Sequence, residues 1–267
     1  MLRSLTRIRI WFAAHGSRAI ILRQGPSRWS RILTWCTRSD VITPGQWIRG
    51  KIPRFDINSD ASLALTNVQS YRRRPFDGQW DAPWVALSRP PFFSALAVWH
   101  IGDAWGGHCH FVTDREVVVG AGAQPIRFEG SLAAEMTWRH LTDGDLTWDF
   151  ERRWAGWTPA SGDRLGLSAD AFKRSAATRL EVHRRHATRH WCMHLYRAQE
   201  NTLKPLVTLD NVYFGDFDSF GRFVFTRENG IIYRATPTGG DVKIDDVADL
   251  SAMQPESIAA PAWVKTW

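Results

Sequence analysis

The sequence predicts an all-β protein assembled from repeated strand pairs, and three observations carry that expectation. The first is the stretch "NVYFGDFDSFGRFVFTRENGIIYRA", residues 211–235. Phe223-Val224-Phe225 and Ile231-Ile232-Tyr233 are short runs of β-branched and aromatic side chains, which pack well on a pleated surface. Asn229-Gly230 between them suits the positive φ values of a two-residue hairpin turn. Asp216, Asp218, Ser219 and Gly221 form a second turn cluster ahead of the first run. The second observation is recurrence. "RFDINSDASLALTNVQSY" (54–71), "HFVTDREVVVGAG" (from His110) and "LGLSADAFKR" (from Leu165) repeat the pattern of polar turn and short apolar run. The third is fifteen Trp residues in 267, a supply of large side chains to plug successive sheets. Asp-rich turns with paired strands recur every 40–50 residues in propeller blades. The fold class predicted is therefore an irregular β-propeller of about five blades, with its closure left open.

The elements follow in order. Residues 1–17 hold Arg3, Arg7 and Arg9 and read as a basic N-terminal extension; 18–267 read as one domain whose tail packs back on it. The apolar run "IWFAA" is too short for a secretory core and is followed by His15 and Arg18. "AIILRQG" and "WSRILTWCT" read as two strands around Gly25-Pro26-Ser27. "DVITPGQWIRGKI" reads as a Pro44-Gly45 turn leading into a strand around Trp47. "RRRPFDGQWDAPW" reads as a loop. "FFSALAVW" (92–99) fits a buried strand or a helical turn, and "SLAAEMTWRHL" fits a short helix or a strand, because periodicity does not separate the two in runs so short. "TRLEVHRRHATRHWCMHLYRA" reads as a hairpin turning near Ala187-Thr188. Trp263 and Trp267 close the tail.

Hydrophobic residues make up 44% and charged residues 23% of the chain, a globular composition that excludes disorder. The formal net charge is +7, which invites anionic partners. Three cysteines, Cys36, Cys109 and Cys192, are widely spaced and lack a CxxC pair, the usage of a reducing, cytoplasmic setting. No stretch approaches the ~20 apolar residues of a membrane-spanning helix.

"GQWIRGKI", "SRPPFF", "GDAWGG" and "APAWVKTW" together resemble a family of bacterial proteins of about this length that has no assigned activity. The resemblance spans nearly the whole chain from about Ala19. Where that family often reads GDxWGGGG, this chain has His108 and Cys109 after Gly107. The blades themselves resemble those of WD40 and TolB-type propellers, which implies a fold and no particular activity.

Four constellations carry candidate chemistry. "HCH" at 108–110 and "HRRHATRHWCMH" at 183–194 place His108 and His110, and His190, Cys192 and His194, at strand spacing that puts residues two apart on one face. A zinc site needs four such ligands. The loop "IGDAWGGHCH" points to Asp103, Trp105, Trp84 and Arg89 as a ligand site, although it lacks the lysine of a phosphate-binding loop. Asp145, Asp149 and Glu151 lie among Trp148, Trp154 and Trp157, a composition suited to sugar hydrolysis. Arg72, Arg73 and Arg74, with Arg184, Arg185 and Arg189 beside Trp191, suit phosphate backbones and stacked bases. No GxSxG nucleophile is present.

These observations together point to a non-enzymatic binding or scaffold module with a protein partner, no cofactor and no membrane span. A hydrolase or lyase acting at a propeller channel and a basic nucleic-acid binder are the alternatives.

Overall fold

The computed structural model describes residues 5–25, 27–69, 83–101, 108–120, 122–128, 131–142, 158–159, 171–175, 180–187, 190–197, 204–239 and 241–266. Nearly every element is a strand. β1 (Arg7–Phe12), β2 (Arg18–Gln24), β3 (Trp29–Cys36) and β4 (Val41–Arg49) form one sheet in chain order. β5 (Lys51–Ile57), β6 (Ala64–Gln69), β7 (Trp84–Ser88) and β8 (Ala95–His100) follow as a second meander. β9 (Cys109–Thr113) and β10 (Glu116–Val119) make a hairpin. β11 (Gln124–Arg127) returns to the edge of the second sheet beside β8. A short helix, α1 (Ser131–Glu135), then leads to β12 (Thr137–His140), which pairs with β10 in parallel. β13 (Thr158–Pro159), β14 (Ala171–Ser175), β15 (Leu180–Ala187), β16 (His190–Arg197) and β17 (Val207–Val212) form the fourth sheet. β18 (Phe214–Phe217), β19 (Phe223–Thr226), β20 (Ile231–Thr238) and β21 (Asp241–Asp249) form the fifth. The all-β class is as the sequence predicts, and the described residues hold five sheets. Four of the sheets keep their strands in chain order, apart from β11, and that meander is the unit from which propeller blades are made.

The chain divides into two compact units. One holds residues 10–149 and 254–267; the other holds residues 1–9 and 150–253. Among its described residues the first holds two apolar clusters. Ile20, Leu22, Ile32, Ile52 and Phe55 pack in one, with Trp11 against the ring of Phe55 at 4.7 Å. Leu65, Val85, Leu87, Trp99, Phe111 and Val117 pack in the other, with Phe128 and Trp138 against Trp99. The second unit is centred on Val182, Met193, Leu195, Leu209, Phe223 and Phe225. Trp35 and Trp99 are fully buried, as blade plugs should be, whereas Trp263 is 59% exposed.

Most turns lie where the sequence puts them. Asp218 accepts hydrogen bonds from the N–H groups of Phe220 and Arg222 and is paired with the Arg222 guanidinium, so its turn satisfies itself. Asn58 and Thr113-Asp114-Arg115 occupy two further predicted turns, and the turn expected in "LGLSADAFKR" lies outside the described residues. "FFSALAVW" contributes a strand, β8, and "SLAAEMTWRHL" supplies both α1 and β12.

Three readings change. Residues 1–17 contain β1, with Ile8 and Ile10 buried, because the alternation in "RIRI" gives the strand one apolar face. The Pro44-Gly45 pair makes no turn: β4 runs through it, with the β3–β4 register shifting between Arg31 and Leu33, a bulge that accommodates the proline. The Asn229-Gly230 turn is longer than two residues, since Thr226 and Ile232 are the last ladder partners. Only Gly230 takes a positive φ there, +82°. Asn229 accepts the N–H of Ile231 through its own side chain and bridges to Thr6.

Gly45 is fixed by close approach rather than by dihedral. A Cβ there would stand 1.9 Å from the carbonyl oxygen of Pro91 and 2.7 Å from that of Ile32. Both are backbone atoms that cannot yield without displacing β3 or the segment between β7 and β8. Gly45→Ala is expected to destabilise the protein by about 3 kcal/mol or more, read as a fall in the midpoint of thermal or urea unfolding. An unchanged midpoint would contradict this packing.

Candidate functional site

Strand alternation places the predicted histidine–cysteine set as expected on β16. His190, Cys192, His194 and Tyr196 are half-buried while Met193 and Leu195 between them are buried in the core. Cys192 Sγ lies 3.6 Å from His194 Nε2, and His194 Nδ1 lies 3.0 Å from Thr208 Oγ1 on β17. His183 stands opposite His194 across the β15–β16 ladder. His190 faces a different partner, Glu228, at 3.0 Å. His108 and His110 belong to the other compact unit, where His110 is 1% exposed on β9. Among the described residues no group of three or more His, Cys, Asp or Glu side chains is gathered as metal ligands.

The predicted ligand loop is divided. Trp84 opens β7 and Arg89 follows its last residue, so the length of the strand parts them, about 16 Å of extended chain. Asp103 and Trp105 lie outside the described residues, as do Arg72, Arg73, Arg74 and Arg189, and the carboxylates Asp145, Asp149 and Glu151. Arg184 and Arg185 are placed by register alone, opposite Met193 and Cys192.

The constellation that the structure does assemble was not legible as a motif. It belongs to the unit holding residues 1–9 and 150–253. Arg7 and Arg9 project from the polar face of β1, and their guanidinium carbons lie 5.8 and 5.7 Å from the ring centre of Tyr213. Arg9 Nε donates to the Tyr213 hydroxyl at 3.2 Å. Glu228 is clamped between Arg7 and His190, taking one on each carboxylate oxygen. Arg227 lies over the rings of Phe225 and Tyr233, at 5.8 and 5.6 Å. Asn229 Nδ2 donates to the Tyr233 hydroxyl at 2.6 Å. Arg7 and His190 thus share one carboxylate, with Arg9 and Arg227 laid against two tyrosines that are half-exposed. Arg7 and Glu228 are 221 positions apart, and only the period of two in "RIRI" signals that Arg7 and Arg9 lie together.

Electrostatics at the clamp can be stated by direction. Burial pushes the Glu228 carboxyl up. The hydrogen bonds from Arg7 and His190 outweigh it and hold the group below the usual carboxylate range. Elsewhere, Cys36 at the end of β3 has its thiol lowered to about 6. The hydroxyl and N–H of Ser39 contribute most, followed by Ser17 Oγ, 3.7 Å away, and the N–H of Arg38.

No family model matches the chain, and no curated protein matches it. Solved structures similar to it include the Dos1 propeller, at 7% identity, 92% coverage of this chain and TM-score 0.25. Another is dihydro-heme d1 dehydrogenase NirN in complex with DHE, at 11% identity, 90% coverage and TM-score 0.29. A third is the β-propeller domain of Cps50 (Swd1) from Myceliophteria thermophila, at 12% identity, 91% coverage and TM-score 0.22. The chain spans 47%, 46% and 71% of their respective lengths. Likeness at these TM-scores carries no argument, so the fold rests on the sheets themselves. Among the described residues no helix is long and apolar enough to cross a membrane.

Two measurements check the electrostatics. A carboxyl held low in the folded state stabilises above its unfolded value of about 4.3 and loses that contribution as pH falls through the folded value. Glu228→Gln is therefore expected to cost about 1 kcal/mol at neutral pH, a modest figure because Arg7 is half-exposed. The gap to the wild type should close as the pH is taken below about 4; a gap that persists at pH 2 would contradict the clamp. Separately, alkylation of native Cys36 should be half-maximal at about pH 6, with Ser39→Ala moving that midpoint upward in peptide-resolved mass spectrometry. A midpoint at the ordinary thiol value of about 8.5 would show that the serines do not hold the thiolate.

Proposed function

We propose that the protein is a non-enzymatic binding module of β-propeller type, its five sheets acting as blades, which works in the cytoplasm by holding a protein partner. The observation that supports this reading is the surface of Arg7, Arg9, Tyr213, Arg227 and Tyr233. Arginine and tyrosine are the residue types over-represented among the energetic anchors of protein interfaces. Here they are stacked on one another in advance, so little side-chain entropy remains to be lost on association. One carboxylate, Glu228, is shared by Arg7 and His190, which leaves a net positive surface suited to an acidic partner.

The test is affinity capture from nuclease-treated extracts of the native host, comparing the wild type with Tyr213→Ala and Arg9→Ala. The expected result is a partner recovered by the wild type and reduced at least tenfold by either variant, an interface anchor being worth upward of about 1.4 kcal/mol, with melting temperatures held close to wild type. Recovery of the same proteins by all three chains would overturn the assignment of this surface. Retention seen in a parallel untreated extract but lost in the nuclease-treated one would overturn the protein-partner reading in favour of a nucleic acid.

A further inference from the structure

A second surface lies in the compact unit of residues 10–149 and 254–267, and it is built from buried charge. Arg23, Arg31 and Trp47 are direct neighbours across β2, β3 and β4. Like charges directly opposite one another in a sheet repel. Even so, Arg23 is fully buried and Arg31 is 3% exposed. The indole of Trp47 lies against both guanidinium groups, 5.2 Å from Arg23 and 5.3 Å from Arg31. Burial, and then the charge of Arg31, lower the Arg23 guanidinium to about 10. Arg23 donates to the Gly25 carbonyl, and Arg31 is left with its Nη2 at the edge of the sheet.

The chain's own C-terminal segment lies against that edge. Arg31 Nη2 donates to Glu256 Oε1 at 2.6 Å. Gln46 Nε2 donates to the main-chain carbonyl of Ile258 at 2.9 Å. Trp263 meets Phe92 edge-on at 6.1 Å, and Val264 is fully buried. Between these points residues 253–261 belong to no strand. The side chain of Glu256 and the whole of Trp263 are each 59% exposed.

What separates this from an ordinary tail contact is where the recognising atoms get their positions. Arg31 Nε is spent on the Gly45 carbonyl at 3.0 Å, which aims Nη2 outward. Gln46 Oε1 accepts the N–H of Phe93 at 2.8 Å, which fixes its amide so that Nε2 faces the segment. Both donors are therefore oriented by the sheet and by the residue 89–93 loop, and neither depends on residues 254–264 for its geometry. A preorganised pair of donors, one charged and one neutral, is a receptor for a carboxylate followed two residues later by a main-chain carbonyl.

We propose that the Arg31–Gln46–Trp47 surface is a peptide-recognition site, occupied here in cis by Gln254–Val264, whose trans ligand is an extended acidic segment of a partner protein. The contacts described for the cis segment are modest: a charge-assisted bond to a half-exposed carboxylate, an amide bond, a ring edge and a buried valine. A tethered competitor still acts at an effective concentration in the millimolar range, so the site opens to a partner whose segment carries more negative charge or longer contact. This proposal stands apart from the arginine–tyrosine surface and survives if that assignment fails.

The experiment uses the full chain and a fluorescent peptide of sequence QPESIAAPAWV, titrated by anisotropy. The receptor is either the wild type or the double variant Glu256→Ala, Trp263→Ala. Both substituted side chains are exposed, so the variant keeps its core. The double variant is expected to bind the peptide at least about tenfold more tightly than the wild type, because its own segment competes less. The same peptide with alanine in place of glutamate should bind at least about tenfold more weakly, from loss of the charge-assisted bond. Equal binding to the two receptors, no binding to either, or indifference to the peptide glutamate would each overturn the proposal. A wild-type dimer that is lost in the double variant would overturn it too, by assigning the site to a second copy of this chain. Partner capture that depends on Tyr213 but not on Glu256 would sink this site while leaving the function proposed above intact.

Discussion

Sheets covered on both faces set the terms for the rest of this structure. Ala19 through Arg23 are all buried, as are Ile32 and Leu33 facing them. Alternation between wet and dry sides has no room there. Each inner strand must pair fully and present side chains that pack above and below. The apolar runs "AIIL" and "RILTW" satisfy that demand. At the ends of those runs it produces less common solutions. Arg23 and Arg31 enter the interior only because Trp47 covers them and because Gly25, Gly45 and Glu256 take their N–H groups. Gly45 is required for the same reason: β4 can carry Trp47 over the arginines only if the Pro91 carbonyl can approach its backbone.

The parts of the fold that were legible in the sequence are those governed by local chemistry. Asp218, Asn58 and Thr113 declare turns because their side chains satisfy the turn backbone themselves. β15 and β16 pair as a hairpin up to Ala187 and His190, as the sequence reading expects. What was misread was governed by partners distant in sequence. Pro44-Gly45 has the composition of a turn, yet the approach of residue 91 converts it to a bulge inside a strand. Asn229-Gly230 has the composition of a two-residue turn. Pairing with Thr6 and the salt bridge to Arg7 draw residues 227–229 out of the ladder and lengthen it. Residues 7–12 read as a basic arm because their charges are conspicuous, and the burial of Ile8 and Ile10 decides otherwise.

The candidate sites follow the same division. Period-two spacing correctly put His190, Cys192 and His194 on one side of β16, since strand geometry alone fixes that. It did not foresee their partners. His194 is engaged by Thr208 and His190 by Glu228, each from a different strand or loop. Trp84 and Arg89, grouped by composition, are parted by the length of β7. Both surfaces argued for binding were missed because each joins residues far apart in sequence, Arg7 to Glu228 over 221 positions and Arg31 to Glu256 over 225.

A net charge of +7 in such a chain is therefore not diffuse solubilising charge alone. Much of it is arginine laid against aromatic rings, at Tyr213, Trp47, Phe172, Phe220 and Tyr233. Guanidinium is weakly hydrated and planar, so it tolerates a ring on one face and still presents donors at its edge. An ammonium group in the same positions would need its whole hydration shell replaced. Arginine on an aromatic platform keeps its charge at low desolvation cost and with its direction fixed. Where the exposed edge already holds a carboxylate, as Glu256 does on Arg31, the chain displays its own version of the ligand it is built to take. The weakness of that internal contact is then a requirement of the site, because an occupant bound more tightly in cis would leave nothing for a partner to displace.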